Sequence, residues 1–203
     1  MAIGTYTELQ SAIGNWLDHS LYSARAPEFI SLFEASANRR LRVRQQETTA
    51  VITVTAGSGN LPSDYLAWRQ VISASAGVVA DLEYDTSKYL TALFPTVPSG
   101  PPTHFYIQGT QITVRPVPTS ETIAMIYFAK VAALTDSATT NWLLTEHPDL
   151  YLFGSLVEAE MFGVDDERAP LWKARRDEIF DEIEKLSNKS RGAGVTRVFG
   201  PTP

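Results

Sequence analysis

The chain has 203 residues, is 44% apolar, 10% aromatic and 20% charged, and carries a formal charge of −6. That mixture is globular, and a chain of this size can bury roughly 70% of its unfolded surface without a covalent staple. It contains no cysteine, which excludes disulfide scaffolds, zinc–thiolate sites, iron–sulfur clusters and cysteine nucleophiles.

No apolar stretch reaches the length of a membrane span, and the N-terminus lacks a basic region followed by an apolar core, so neither a membrane helix nor a signal peptide is expected. The charge is unevenly spread. Residues 1–46 are net +1, residues 47–130 net −2, residues 131–187 net −8 and residues 188–203 net +3. An acidic body argues against non-specific duplex binding, which needs lysine and arginine against phosphate. A basic tail on that body suggests an arm that docks elsewhere.

Residues 1–46 read as two helices. Thr5 and Glu8 have the spacing of a capping box. Leu9, Ile13, Trp16 and Leu17 make one helical stripe. After a break at Asp18-His19-Ser20, Pro27 is expected at the first position of the second helix, with Phe29, Ile30, Phe33, Ala37 and Leu41 as its stripe. Arg39, Arg40, Arg42 and Arg44 crowd the far end, where cations suit the negative end of the dipole.

Residues 47–130 change period. Thr48 to Thr55 (TTAVITVT) is β-branched and predicts a strand, with a turn at Ala56 to Asn60. Further strands are expected at Trp68 to Ser73 and at Val78 to Tyr84, then a proline-rich loop, since six of the twelve prolines lie between Pro95 and Pro118. Phe105 to Gln108, the turn Gly109-Thr110 and Gln111 to Val114 predict a hairpin, and Thr122 to Phe128 a last strand.

Residues 131–187 return to helix. Pro148 opens one, with Leu150, Phe153, Val157 and Met161 on one stripe and Leu152, Leu156 and Ala159 on another. A helix apolar on two sides is buried on two sides. Trp172, Ile179, Ile183 and Leu186 mark a final amphipathic helix whose other faces carry Asp177, Glu178, Asp181, Glu182 and Glu184. Residues 188–203 show no helical period and read as a flexible docking arm. The expected fold class is therefore α+β. An antiparallel helical bundle, two N-terminal and two C-terminal helices over 1–46 and 131–187, carries an inserted small antiparallel β-sandwich or barrel over 47–130. An extended C-terminal arm follows it.

The search for chemistry finds no catalytic constellation, and no cofactor or metal is expected. Gly57-Ser58-Gly59 is a hairpin turn, not a nucleophile elbow or a phosphate loop. His19, His104 and His147 lie far apart in the chain, and His147 before Pro148 looks like a helix start. Asp165-Asp166-Glu167 suits the exposed amides of the last helix. Arg39, Arg40, Arg42 and Arg44 could touch phosphate, but the acidic surplus elsewhere favours a solvated helix end or an ion pair between subunits.

The order of features resembles the head-to-tail adaptor (connector) proteins of tailed bacteriophages, of the tail tubular kind. The resemblance rests on Ala35 to Leu41 (ASANRRL), Leu61-Pro62-Ser63-Asp64-Tyr65-Leu66, Ser99-Gly100-Pro101-Pro102 before Phe105-Tyr106-Ile107, and Val114-Arg115-Pro116-Val117-Pro118. It continues through Asn141-Trp142-Leu143-Leu144 and Pro148 to Ala159, then Arg168 and Trp172. It implies a structural virion protein at the head–tail junction, made in the host bacterial cytoplasm. It implies a ring of identical copies, commonly a dodecamer, docked under the portal protein. Genomic DNA would pass through the centre without sequence-specific binding, and the next tail component, a stopper, nozzle or tail tube protein, would dock on the far side.

In that frame Arg191, Val195, Arg197, Val198 and Phe199 of the arm are the expected portal contacts, since aromatics and arginines fill partner pockets. Asp177, Glu178, Asp181, Glu182 and Glu184 are the expected channel-facing acids, which would repel phosphate and let DNA slide. An alternative is a carbohydrate-binding or hydrolytic tail module. It would use Trp68, Tyr84, Tyr89 and Phe94 for stacking, and Asp81, Glu83 and Asp85, alternating along one strand, as acids.

Overall fold

The computed structural model describes residues 3–17, 20–75, 78–160, 162 and 167–192. The chain forms two compact units, one of residues 1–45 and 131–203, the other of residues 46–130.

The first unit is helical. Helix α1 spans Tyr6–Leu17 and α2 spans Ser20–Arg40. After the second unit come α4 (Trp142–Glu146), α5 (Pro148–Ala159) and α6 (Ala169–Gly192). The expected capping box forms at α1: the Glu8 amide donates to Thr5 Oγ1 at 3.3 Å, and Glu8 Oε2 accepts from the Thr5 amide at 3.1 Å and the Gly4 amide at 2.8 Å. Those bonds hold the Glu8 carboxyl below its ordinary range. The stripe residues of α2, Phe29, Ile30, Phe33, Ala37 and Leu41, are all buried. Helix α5 is buried on two sides, as its double stripe predicts, and packs on α1, α2, α4 and α6.

Three helical details differ from expectation. Pro27 lies inside α2 rather than at its start. An interior proline costs about 3 kcal/mol, and burial of Ala26, Phe29, Ile30 and Phe33 around it offsets that. Trp16 and Leu186, expected on the inner stripes, are 41% and 64% exposed; in α6 Trp172, Ile179 and Ile183 are buried as expected, and Phe180 and Ser187 join them in place of Leu186. Lys189 to Gly192 continue α6, so the helix does not stop at 187.

The second unit holds β1 (Glu47–Thr55), β2 (Ser58–Asn60), β3 (Tyr65–Ser75), β4 (Val78–Asp81) and β5 (Glu83–Tyr84), then α3 (Ser87–Leu93). Strands β6 (His104–Gln108), β7 (Gln111–Arg115) and β8 (Ser120–Ala129) complete it. All eight strands form one sheet in the order β4-β3-β8-β1-β2-β7-β6-β5. The two edges of that sheet, β4 and β5, are separated in the chain by Leu82 alone. The Leu82 amide donates to Val71 O of β3 at 2.8 Å, and the next amide, Glu83, donates to Thr103 O beside β6 at 2.9 Å. One stretch of chain thus ties both edges, and the sheet curls into a nearly closed barrel, which removes the exposed edges of an open sheet. Ile52, Val54, Val71, Leu82, Phe105, Ile112, Val114, Ile123, Met125 and Tyr127 fill its core.

The expected α+β bundle with a small inserted sandwich is therefore corrected. The fold is a mixed α/β one, with an eight-stranded, nearly closed barrel sheet and six α-helices among the described residues. The segment Val78 to Tyr84 is not one strand. It breaks at Leu82, and β5 pairs with β6 in parallel, Glu83 with His104 and Tyr84 with Phe105. The proline-rich loop also contains a helix, α3, capped by Thr86 Oγ1, which accepts from the Tyr89 amide at 3.3 Å. The turn at Gly109-Thr110 stands as expected, whereas the turn expected over Ala56 to Asn60 narrows to Ala56-Gly57, because Ser58–Asn60 pair with β7 as strand β2. Ala56-Gly57 joins β1 to β2, with Gly57 at φ 82°, and Gly109-Thr110 joins β6 to β7, with Gly109 at φ 60°.

Candidate functional site

The arginines at the end of α2 separate into different roles. Arg40 reaches α6 and forms three ion pairs. Its Nη1 lies 3.2 Å from Asp177 Oδ1, its Nη2 2.5 Å from Asp181 Oδ1, and its Nε 3.2 Å from Glu184 Oε1. The three carboxylates stand at i, i+4 and i+7 of α6, one face of a helix. The guanidinium carbon also lies 4.5 Å from the Phe180 ring centre, a cation–π contact. The planar guanidinium spreads its donors over three nitrogens, and here each nitrogen meets a different carboxylate.

Arg42 Nη1 donates to Asn38 O at 2.8 Å and to Leu41 O, and so closes the C-terminus of α2. Arg39 is exposed, and among the described residues it has no ion pair. Arg44 is exposed, and its amide donates to Ser187 Oγ at 3.1 Å. A cleft of about 290 Å³ is lined by Arg40, Arg42, Glu184 and Asn188.

The acidic residues of α6 are thus partly satisfied inside the chain. Asp177 takes Arg40 and also Arg176, whose Nη2 donates at 2.9 Å. Glu178 pairs with Arg175 at 2.7 Å, and that carboxylate raises the Arg175 guanidinium further above its usual range. Glu182 is exposed. Of the arm residues, Arg191 lies in the last turn of α6, and Val195, Arg197, Val198 and Phe199 lie outside the described residues.

A second polar centre carries no sequence signal. Glu34, on the inner side of α2, is only 6% exposed. It accepts from the Leu134 amide at 2.9 Å and the Tyr151 hydroxyl at 3.1 Å. Asn141 Nδ2 donates to the same hydroxyl at 2.6 Å and to Ala132 O at 2.7 Å, while Asn141 Oδ1 caps α4 through the Leu144 amide. Asn38 Oδ1 accepts from the Val131 amide at 2.8 Å. The stretch 131–141 is thereby fastened to α2 and α5. Burial raises the Glu34 carboxyl above its ordinary range, partly opposed by these hydrogen bonds. Burial and the neighbouring Glu34 raise the Tyr151 phenol.

In the β unit the acids do not converge as one strand face. Asp81 accepts from Gln70 Nε2 at 2.6 Å, whereas Glu83 and Asp85 each lie 3.7 Å from His104 Nε2. Trp68 and Tyr84 stack on each other with centroids 5.3 Å apart, and both meet the edge of Phe105, so these rings serve the barrel's closure. His147 sits at the junction of α4 and α5, as the helix start its place before Pro148 suggests. Among the described residues no group of histidine and carboxylate side chains could hold a metal ion, and no helix is long and apolar enough to cross a membrane.

This geometry defines a class: a two-unit α/β protein with a cluster of three α6 carboxylates paired to one arginine of α2. The model of the family described as SU10 adaptor protein matches residues 4–198, and the chain belongs to that family, a family of phage adaptor proteins. It is accordingly a bacteriophage structural protein and a component of the virion. A search of curated proteins finds no match.

Proposed function

We propose that the protein assembles as a ring of identical copies under the portal, conducts DNA through its centre and offers the platform for the next tail component. The observation that carries this reading is the family match over nearly the whole chain, residues 4–198. The net charge of −6 supports it, because a ring multiplies that charge around a channel through which phosphate must slide rather than stick. Glu182 is the acid best disposed to face a channel, since Asp177, Asp181 and Glu184 are engaged by Arg40 and Glu178 by Arg175. The basic C-terminal segment, with Arg191, Arg197 and Phe199, is the part we assign to the portal.

The test is mixing with the purified portal, read by light scattering and electron microscopy. The full chain is expected to add a ring to the portal. A chain ending at Gly192 keeps every described residue. It is expected to fold with an unchanged melting curve and fail to join. Equal joining by the shortened chain removes the arm from the portal contact, and no joining by the full chain removes the portal from the reading.

A further inference from the structure

The outward side of the barrel sheet has an unusual surface. Across four neighbouring strands the register sets Val51, Ala124, Ile72 and Asp81 in one row. The row on one side holds Thr49, Ile126 and Gln70, whose amide donates to Asp81 at 2.6 Å, and that on the other Thr53, Thr122 and the exposed Val79. Val51 and Val79 are each 72% exposed, more than any other large apolar side chain among the described residues. Asp81 is the one ionic side chain in these rows.

The same unit carries a second apolar surface. Helix α3 buries only Leu90 and turns Tyr89 (53% exposed) and Leu93 (44% exposed), one turn apart, to the outside. Lys88 is its one ionic residue and is exposed.

We propose that α3 of one copy lies on the outer sheet face of the next, with Tyr89 and Leu93 against Val51 and Val79 and Lys88 opposite Asp81. The proposal rests on the ring reading above and names the surfaces through which copies meet. A second copy is the occupant for three reasons. The surfaces match in charge, with one acid on the sheet and one base on the helix. Copies that each carry −6 repel wherever ions face ions, so they approach best through a face almost free of them. And the two surfaces differ, so every contact leaves one of each unsatisfied at the ends of the chain of subunits, the heterologous arrangement from which rings are built when the rotation between copies closes. Four strands at ~4.8 Å and three rows give a patch on the order of 300 Å². An interface of standard size buries ~800 Å² per partner, so this patch would form the middle of one rather than the whole.

Because the chain has no cysteine, a pair introduced as Val51→Cys with Leu93→Cys is a clean probe. Both sites are exposed, so folding is expected to persist, checked by circular dichroism. Oxidation of assembled protein, alone and in the particle, is expected to give a ladder of covalent dimers, trimers and higher species. Either single variant is expected to give none beyond dimer. Independently, Val51→Glu with Val79→Glu, and Tyr89→Glu with Leu93→Glu, are each expected to weaken self-association at least tenfold in sedimentation. Mixing the two is expected to restore a dimer, because one intact pair of surfaces remains. Multimers without a ladder, with both glutamate variants assembling normally, overturn this pairing while leaving the ring. A wild-type chain present in particles as single copies overturns the ring itself.

Discussion

The Tyr151 hydroxyl donates to the buried carboxylate of Glu34 at 3.1 Å, and the same carboxylate receives the Leu134 amide at 2.9 Å. No cation is among these partners, so burial dominates and raises the Glu34 carboxyl. The folded state therefore holds a proton that the unfolded chain has already released. The associated stability is present below the ordinary glutamate range and is lost as pH rises through the raised folded value. Melting temperature measured across the weakly acidic range is expected to fall with rising pH, and Glu34→Gln to flatten that slope. Glu34→Ala leaves two buried donors without an acceptor and is expected to cost about 2–4 kcal/mol in chemical denaturation. An unchanged slope in Glu34→Gln assigns the pH response to other groups.

Arg40 binds three carboxylates of α6, but its side chain is about one-third exposed and its partners more so. Solvent screens such pairs, so Arg40→Ala is expected to cost about 1 kcal/mol. Arg40→Lys should recover little, because a single ammonium cannot span Asp177, Asp181 and Glu184. The check is melting temperature at low and high salt, where the wild type should lose more on added salt than either variant.

Gly154 of α5 meets the face of Phe33, such that an added Cβ would fall 2.1 Å from the ring. Phe33 is held between the Tyr151 and Phe180 rings at 5.1 and 6.3 Å and cannot swing aside. Gly154→Ala is expected to destabilise by about 1–3 kcal/mol despite alanine's better helix propensity. Urea unfolding reads this directly, and a stabilised variant would show that the α2–α5 contact can widen.

Tyr127 Oη donates to Asp64 Oδ1 at 2.9 Å, and burial with that carboxylate pushes its phenol up to about 12. A raised phenol retains its proton when the unfolded chain has lost it, so this contribution is present below pH 10 and lost as pH rises towards 12. Alkaline unfolding is expected in that window. Tyr127→Phe is expected to cost about 1 kcal/mol at neutral pH and to reduce the alkaline dependence, followed by fluorescence.

Much of the local structure was legible in the residues. The capping box at Thr5 and Glu8, the inner stripe of α2, the double burial of α5 and the turns at Gly57 and Gly109 each follow from spacing within about a dozen residues. The family, too, could be named from the order of short motifs. Helix α3 was missed although Thr86 is a capping residue, because its seven residues run straight into the proline-rich stretch that begins at Pro95 and show only a brief helical period. Pro27 was misplaced for the opposite reason: a preference for first turns gave way to burial of the residues beside it. For the candidate sites, the crowding of arginines and acids was visible, while their mutual engagement through Arg40 was not.

What the amino-acid order determined by itself was periodicity: which segments coil, which extend, and which face of each is apolar, since these depend on neighbours three or four places away. Only the folded chain decided that Leu82 would tie both edges of an eight-stranded sheet, that Glu34 would lose its water to Tyr151 and Leu134, and that one arginine would hold three acids about 140 residues distant. Those outcomes depend on distances across space. A linear pattern does not encode them, because any surface carboxylate or strand edge satisfies the same local rule until packing brings a particular partner to it.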